Sequence, residues 1–198
     1  MAKTKAQDNL AGYEVLLCVT GGIACYKSAD LASSLVQAGA GVTVAMTAAA
    51  RRFVAPLTFQ TLTSRPVYTS LWQRTADFRS EHIALTDLAD LMIVAPATAN
   101  ILGKFAAGLA DDLVSALALS ATGSCPILLA PAMNTRMWSA PPVQANVKTL
   151  AQWGYHVVGP ATGRLACGTE GIGRMSEPAD ILAAAATLLR RTPPRKAR

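Results

Sequence analysis

The sequence predicts an α/β fold in three layers, a parallel sheet with helices on both faces, and three observations predict it. Its strand-like segments are short and apolar at nearly every position, without the in-and-out alternation that a sheet with one wet face requires. Segments of helical length and pattern separate them. The two kinds alternate along the chain, the order that builds βαβ units. With 198 residues, 52% of them hydrophobic, the chain can bury the core of one ordinary domain but not of two large ones.

Element by element, Glu14 to Val19 is the first strand and ends in Thr20-Gly21-Gly22, after which Tyr26 to Ala38 reads as a helix closed by Gly39. Val42 to Met46 is a strand, Pro56 to Ser64 a short helix, Val67 to Ser70 a candidate strand and Leu91 to Ala95 a buried strand. Ala99 to Gly108 and Asp111 to Ala121 read as helices, Pro126 to Ala130 as a strand, Pro142 to Trp153 as a helix, His156 to Val158 as a strand and Ala179 to Arg190 as the last helix. The class is thus a Rossmann-like or flavodoxin-like sheet. Gly159 to Pro178 breaks the pattern, with five of the 14 glycines and little periodicity, and predicts a flap or lid. The expected division is a disordered tail over 1–11, one domain over 12–190 with its flap at about 159–178, and a basic tail over 191–198.

Composition excludes several function classes. The longest apolar runs, Val15 to Val19 and Leu91 to Ala97, fall far short of the ~20 residues of a membrane span. The polar start lacks a signal-peptide core, which predicts a cytoplasmic protein without a membrane partner. Cys18, Cys25, Cys125 and Cys167 show no C-x-x-C spacing, against a zinc site and a disulfide framework. The net charge of +6 suggests nucleic acid until it is located. Arg190, Arg191, Arg195, Lys196 and Arg198 crowd the end of the chain, and without them 13 of the 18 basic residues face 12 acidic ones. No aromatic residues are interleaved there to stack on bases, so the tail reads as solvated and no nucleic-acid partner is expected.

In such sheets ligands bind at the carboxyl ends of the strands, so function should lie after Val19, Met46, Ala95, Ala130 and Val158. Thr20-Gly21-Gly22-Ile23-Ala24 opens a helix whose backbone N–H groups can face a phosphate or a flavin ring, or it is only a turn that needs small residues. It is not G-x-G-x-x-G, and Thr47 stands where a dinucleotide site carries an acidic residue. Pro96-Ala97-Thr98-Ala99-Asn100 can cap the following helix or hold a phosphate. In Pro131-Ala132-Met133-Asn134-Thr135-Arg136-Met137-Trp138 the proline stiffens the loop and Asn134 offers a donor and an acceptor to a substrate carboxylate or amide, while Met137 and Trp138 divide evenly between covering the core and facing a ligand. Cys167, flanked by glycines in the flap, has little packing to do and reads as a chemical thiol, whereas Cys18, Cys25 and Cys125 read as packing. His82, before the apolar stretch leading into the fourth strand, is structural or catalytic; His156 reads as structural.

Together, and in this order, the glycine turn, the Pro96 to Asn100 and Pro131 to Asn134 segments and the Cys167 flap resemble the homo-oligomeric flavin-containing cysteine decarboxylases over about residues 12 to 190. The glycine turn is unspecific; the other three together are specific. The resemblance implies FMN held by Gly21, Gly22, Ile23, Thr47, Thr98, Ala99, Asn100, Ile101 and Ala132. It implies a small-molecule substrate met by Asn134, Met137, Arg164 and Ala166, with His82 as base, Cys167 as proton donor and Asn134 orienting the carboxylate. Ile101 and Thr98 depart mildly from the family, where threonine and serine are common.

A plain amino-acid carboxylate has no adjacent electron sink, so the implied chemistry first creates one. Oxidation of the cysteine side chain by FMN gives a thioaldehyde, loss of CO₂ gives an enethiol, and protonation with hydride return restores the cofactor. The Ala132-Met133 pair and Gly163-Arg164-Leu165-Ala166-Cys167 point to the branch acting on 4′-phosphopantothenoylcysteine on the route to coenzyme A. Alternatives are a peptidyl-cysteine decarboxylase of lantibiotic-type maturation, a flavin prenyltransferase, which the Asn134 and Cys167 segments oppose, and a non-catalytic FMN-binding regulator, which the presence of all three catalytic candidates opposes. The family also implies a homotrimer or homododecamer with the site shared across a subunit boundary, and a chain that stands alone or is fused to a downstream synthetase.

Overall fold

The computed structural model describes residues 9–72, 81–164, 168 and 170–195, with Glu81 and His82 described by their backbone alone. Six parallel strands form one sheet: β1 (Glu14–Val19), β2 (Gly41–Met46), β3 (Val67–Tyr68), β4 (Leu91–Ala97), β5 (Ile127–Pro131) and β6 (His156–Val157), in the order β3-β2-β1-β4-β5-β6. The helices are α1 (Cys25–Gln37), α2 (Pro56–Thr63), α3 (Glu81–Leu88), α4 (Ala99–Ala106), α5 (Leu113–Ala121), α6 (Thr135–Trp138), α7 (Pro141–Gln152) and α8 (Pro178–Leu189).

The apolar strands are apolar because both faces are covered. Val15, Leu17 and Val19 of β1 join Ile93 of β4 in a cluster with Leu31 and Leu35 of α1, Phe59 of α2 and Ile181 of α8. Leu16 and Cys18 point the other way, with Met92 and Val94, onto Leu102 of α4, Leu117 of α5 and Leu150 of α7. Each such Leu or Ile side chain contributes on the order of 1.5–3 kcal/mol by leaving water. Helix starts are written in the sequence: Asp112 and Ser115 form a reciprocal capping box on α5, and prolines open α2, α7 and α8.

Several boundaries differ from the sequence reading. β4 runs on to Ala97 and β5 to Pro131, while β3 stops at Tyr68. Helix α3 was not legible because its apolar residues do not share a face: Ile83 and Leu88 are exposed. The expected flap loop is in its described part an antiparallel hairpin, β7 (Ala161–Arg164) against β8 (Glu170–Arg174). The packed body also reaches past both expected tails: Leu10 is fully buried and donates its N–H to the Ala38 carbonyl, and Arg195 is bound to the body rather than solvated. No described helix is long and apolar enough to cross a membrane.

Candidate functional site

From β1 the chain goes to β2 and β3 on one side, then returns to β4 on the other, so the carboxyl ends of β1 and β4 part and leave a crevice. A cavity of about 1200 Å³ opens there. Its first wall is the turn after β1, with Gly21, Gly22 and Ile23. Gly21 has no room for a side chain, because a Cβ would run into Ala49, and a Cβ on Gly22 would come within 3.5 Å of Thr98 Cγ2. Helix α1 then starts at the cavity with no side-chain cap, its Cys25 and Lys27 N–H groups donating to the Gly22 and Ala24 carbonyls, and its positive dipole end faces the cavity.

The second wall comes from β4. Thr98 Oγ1 accepts the Ile101 N–H at 3.4 Å, so the capping reading of this threonine holds, and Thr98, Ala99, Asn100 and Ile101 all line the cavity. The Thr20 hydroxyl donates to the Pro96 carbonyl at 2.6 Å and ties the two walls together. Ile101 is 1% exposed, in the core with Leu102 and Phe105, so packing explains an apolar residue at this position. Thr47, at the end of β2, also lines the cavity and accepts the Ala50 N–H at 3.2 Å, which starts the 3₁₀ turn Ala50–Arg52.

The third wall, after β5, brings Ala132, Met133, Asn134 and Met137. Asn134 caps α6: its Oδ1 accepts the Arg136 N–H at 2.8 Å, which fixes the carboxamide. A carboxylate only accepts hydrogen bonds, so Asn134 would meet one through Nδ2. Met137 is half exposed and lines the cavity, and α6 buries no residue, so Met137 does not cover the core. The hairpin closes the fourth side with Arg164, which is exposed, Gly168, Gly173 and Arg174. It is stitched to the third wall, since Met133 donates its N–H to the Gly173 carbonyl at 2.9 Å.

Charged groups missed by sequence reasoning also line the cavity. Lys27 pairs with Glu177 at 2.9 Å, Arg174 pairs with Glu177 at 2.8 Å, and Lys104 contacts Asp111 and Asp112 at 2.7 and 2.6 Å. The Lys27 hydrogen bond holds the Glu177 carboxyl below the usual range. Among the described residues, Arg174 Nε is buried without a hydrogen-bond partner. Lys27, Lys104, Arg164 and Arg174 outnumber Asp112 and the partner carboxylates of Asp111 and Glu177 by one, a slight positive excess that suits anionic ligands. One local signal pointed to Lys27: it follows the glycine turn in the first turn of its helix.

Not every candidate is brought to the cavity. His82 lies in the first turn of α3, and its side chain is outside the described residues, as are Ala166 and Cys167. Helix α3 descends to the start of β4, so its N-terminal end is the one nearer the cavity edge. Cys18, Cys25 and Cys125 are buried, and burial pushes all three thiols up, so they stay protonated and inert near neutrality. His156 lines a separate cavity of about 330 Å³ at the opposite edge of the sheet.

Comparison with known proteins places this architecture. The family described as Flavoprotein matches residues 3–190. The chain is 51% identical over 168 residues to the coenzyme A biosynthesis bifunctional protein CoaBC of Bacillus subtilis, covering 85% of this chain and 41% of that protein. It therefore spans about two fifths of the length of such relatives. It is 42% identical over 164 residues to a probable phosphopantothenoylcysteine decarboxylase of Streptococcus mutans, covering 83% of this chain and 92% of the relative. A solved structure of a PPC decarboxylase cysteine mutant complexed with pantothenoylaminoethenethiol superposes with a TM-score of 0.80 at 30% identity, over 91% of this chain and 99% of that one.

Proposed function

Because the chain belongs to the Flavoprotein family, we propose that it is an FMN-dependent decarboxylase that converts 4′-phosphopantothenoylcysteine to 4′-phosphopantetheine in coenzyme A biosynthesis. The observation that carries this is the convergence of the glycine turn, the Thr98 helix start and the Asn134 loop on one cavity. At about 1200 Å³ it exceeds the ~300–1,000 Å³ of a usual single-ligand pocket, which suits a mononucleotide and a substrate side by side. Thr47 in place of an acidic residue favours a mononucleotide over a dinucleotide.

When bound, the flavin supplies the two-electron oxidation of the substrate cysteine and the later return of those electrons. The protein's own groups do the rest. Thr98, Ala99, Asn100 and Ile101 at the start of α4 would hold the cofactor together with Gly21, Gly22, Ile23, Thr47 and Ala132, which line the same cavity. Asn134, its carboxamide fixed by Arg136, orients the substrate carboxylate with Met137, Arg164 and Ala166 beside it. His82 would accept a proton or stabilise charge as the carboxylate leaves, and Cys167 would protonate the enethiol. The relative held with pantothenoylaminoethenethiol in a cysteine mutant supports that last role. The apolar rim residues Ile23, Tyr26 and Met137 are exposed and suit burial against a neighbouring subunit in a cytoplasmic trimer or dodecamer. The decarboxylase domain proposed over residues 12–190 extends in the packed body to Leu10 and Arg195, whether it stands alone or is joined to a synthetase.

The test is an absorbance spectrum of the purified protein, then anaerobic addition of 4′-phosphopantothenoylcysteine with mass detection of products. A flavin spectrum with release of CO₂ and 4′-phosphopantetheine is expected. A yellow protein inert toward it points to a peptide substrate or a regulator, and a protein that takes up no FMN removes the cofactor assignment. Cys167→Ser should accumulate the decarboxylated enethiol with reduced flavin, because a hydroxyl is the poorer proton donor. His82→Asn should stop the reaction before CO₂ is lost.

A further inference from the structure

The chain after α8 folds back across the amino edge of the sheet. The Tyr13 hydroxyl donates to the Thr192 carbonyl at 3.0 Å, and Arg195 then makes four contacts. Its backbone N–H donates to Asp90 Oδ1 at 2.7 Å, while the other oxygen of that buried carboxylate accepts the Glu14 N–H at 2.8 Å. Its guanidinium donates to the Asp87 carbonyl at 2.9 Å, to the Thr86 carbonyl at 3.3 Å and to the Ser124 carbonyl. Thr86 and Asp87 are in the last turn of α3, whose final carbonyls have no partner within the helix. The cation thus caps the negative end of α3 and bolts it to the turn before β5.

Helix α3 carries His82 at its other end. We propose that Arg195 is a positioning residue for the reaction: by holding the last turn of α3 it sets where the first turn presents His82. The inference rests on the role given to His82 above. An eight-residue helix is about 12 Å long, so a tilt of roughly 5° at the held end moves the far end by about 1 Å. A displacement of that size can cost ~100-fold in rate when the displaced group must meet a reacting atom. Lysine cannot replace this contact fully, because three carbonyls on two elements need the planar fork of donors that only arginine has. The family match ends at residue 190, before this arginine.

The test uses FMN-loaded wild type, Arg195→Ala, Arg195→Lys, His82→Asn and the double variant, with Arg191→Ala as a control on the same segment. R195A should lower kcat by roughly 10- to 100-fold with KM and flavin content nearly unchanged. It should also shift the limb of the kcat–pH profile that His82 sets, and R195K should recover part of the loss. In single turnover, adding R195A to H82N should cost little, since the residue it acts through is already gone. A wild-type rate and pH profile in R195A overturns the proposal, and so does an equal loss in the H82N background, which marks general destabilisation. If wild type itself does not decarboxylate the substrate, the functional reading fails first and takes this inference with it; an active wild type with an indifferent R195A sinks this inference alone.

Discussion

Glu177 stands before α8 and serves two cations, the Lys27 ammonium from α1 and the Arg174 guanidinium from β8. The carboxylate is 46% exposed, so solvent screens the pair and its net worth is at most ~1 kcal/mol. Its folded pKa lies below the ordinary value, chiefly through the Lys27 hydrogen bond. A depressed carboxyl pKa means stabilisation that is complete above the unfolded value and is lost as pH falls through the folded one. Glu177→Gln should therefore melt up to about 2–4 °C below wild type near neutrality, and the gap should close between about pH 5 and 3. Thermal unfolding of both proteins across that range is the measurement, and a gap independent of pH would remove the ion pair as its cause. Thr98 is legible in the sequence because its work is local, capping the helix that follows it, whereas Asn134 reads there as a substrate contact and not as the cap of α6. Lys27 and Glu177 are not legible, because 150 residues separate them and only the fold makes them neighbours.

At the scale of elements, the strands and most helices could be read because their apolar runs and proline or glycine boundaries are written locally. The β7–β8 hairpin could not, and the reason is physical: its glycines erase the period-two signal by which a strand is recognised. Two of those glycines, Gly171 and Gly173, are required by close packing. A Cβ on Gly171 would press on Thr135, and one on Gly173 would run into the Met133 carbonyl, at a backbone φ of +139° that L-residues rarely adopt. Gly173→Ala should accordingly lift the hairpin from the Asn134 loop while the sheet stays folded. Limited proteolysis should cut faster within residues 159–178, and kcat/KM should fall about tenfold or more, with flavin content kept. Unchanged proteolysis and activity would mean that the hairpin does not depend on this contact.

For the whole molecule, the sheet order decides where chemistry can occur, since β1 and β4 diverge only once and the turns that follow them meet only at that edge. One chain supplies three walls and a hairpin, yet Ile23 and Tyr26 at the rim remain 60% and 62% exposed. Large apolar side chains in such a place suit a subunit contact. If His82 and Asn134 of one site come from different subunits, two dead proteins can make a live one. Co-expression of His82→Asn with Asn134→Ala gives each contributing subunit an even chance of carrying the intact residue, so roughly a quarter of the sites should be whole in randomly mixed oligomers. The unseparated mixture should then show about a quarter of wild-type decarboxylation per site, and mixed trimers selected by two affinity tags about a third, whereas each variant alone shows almost none. If both residues serve the same chain's cavity, every site in the mixture carries one lesion and no activity returns.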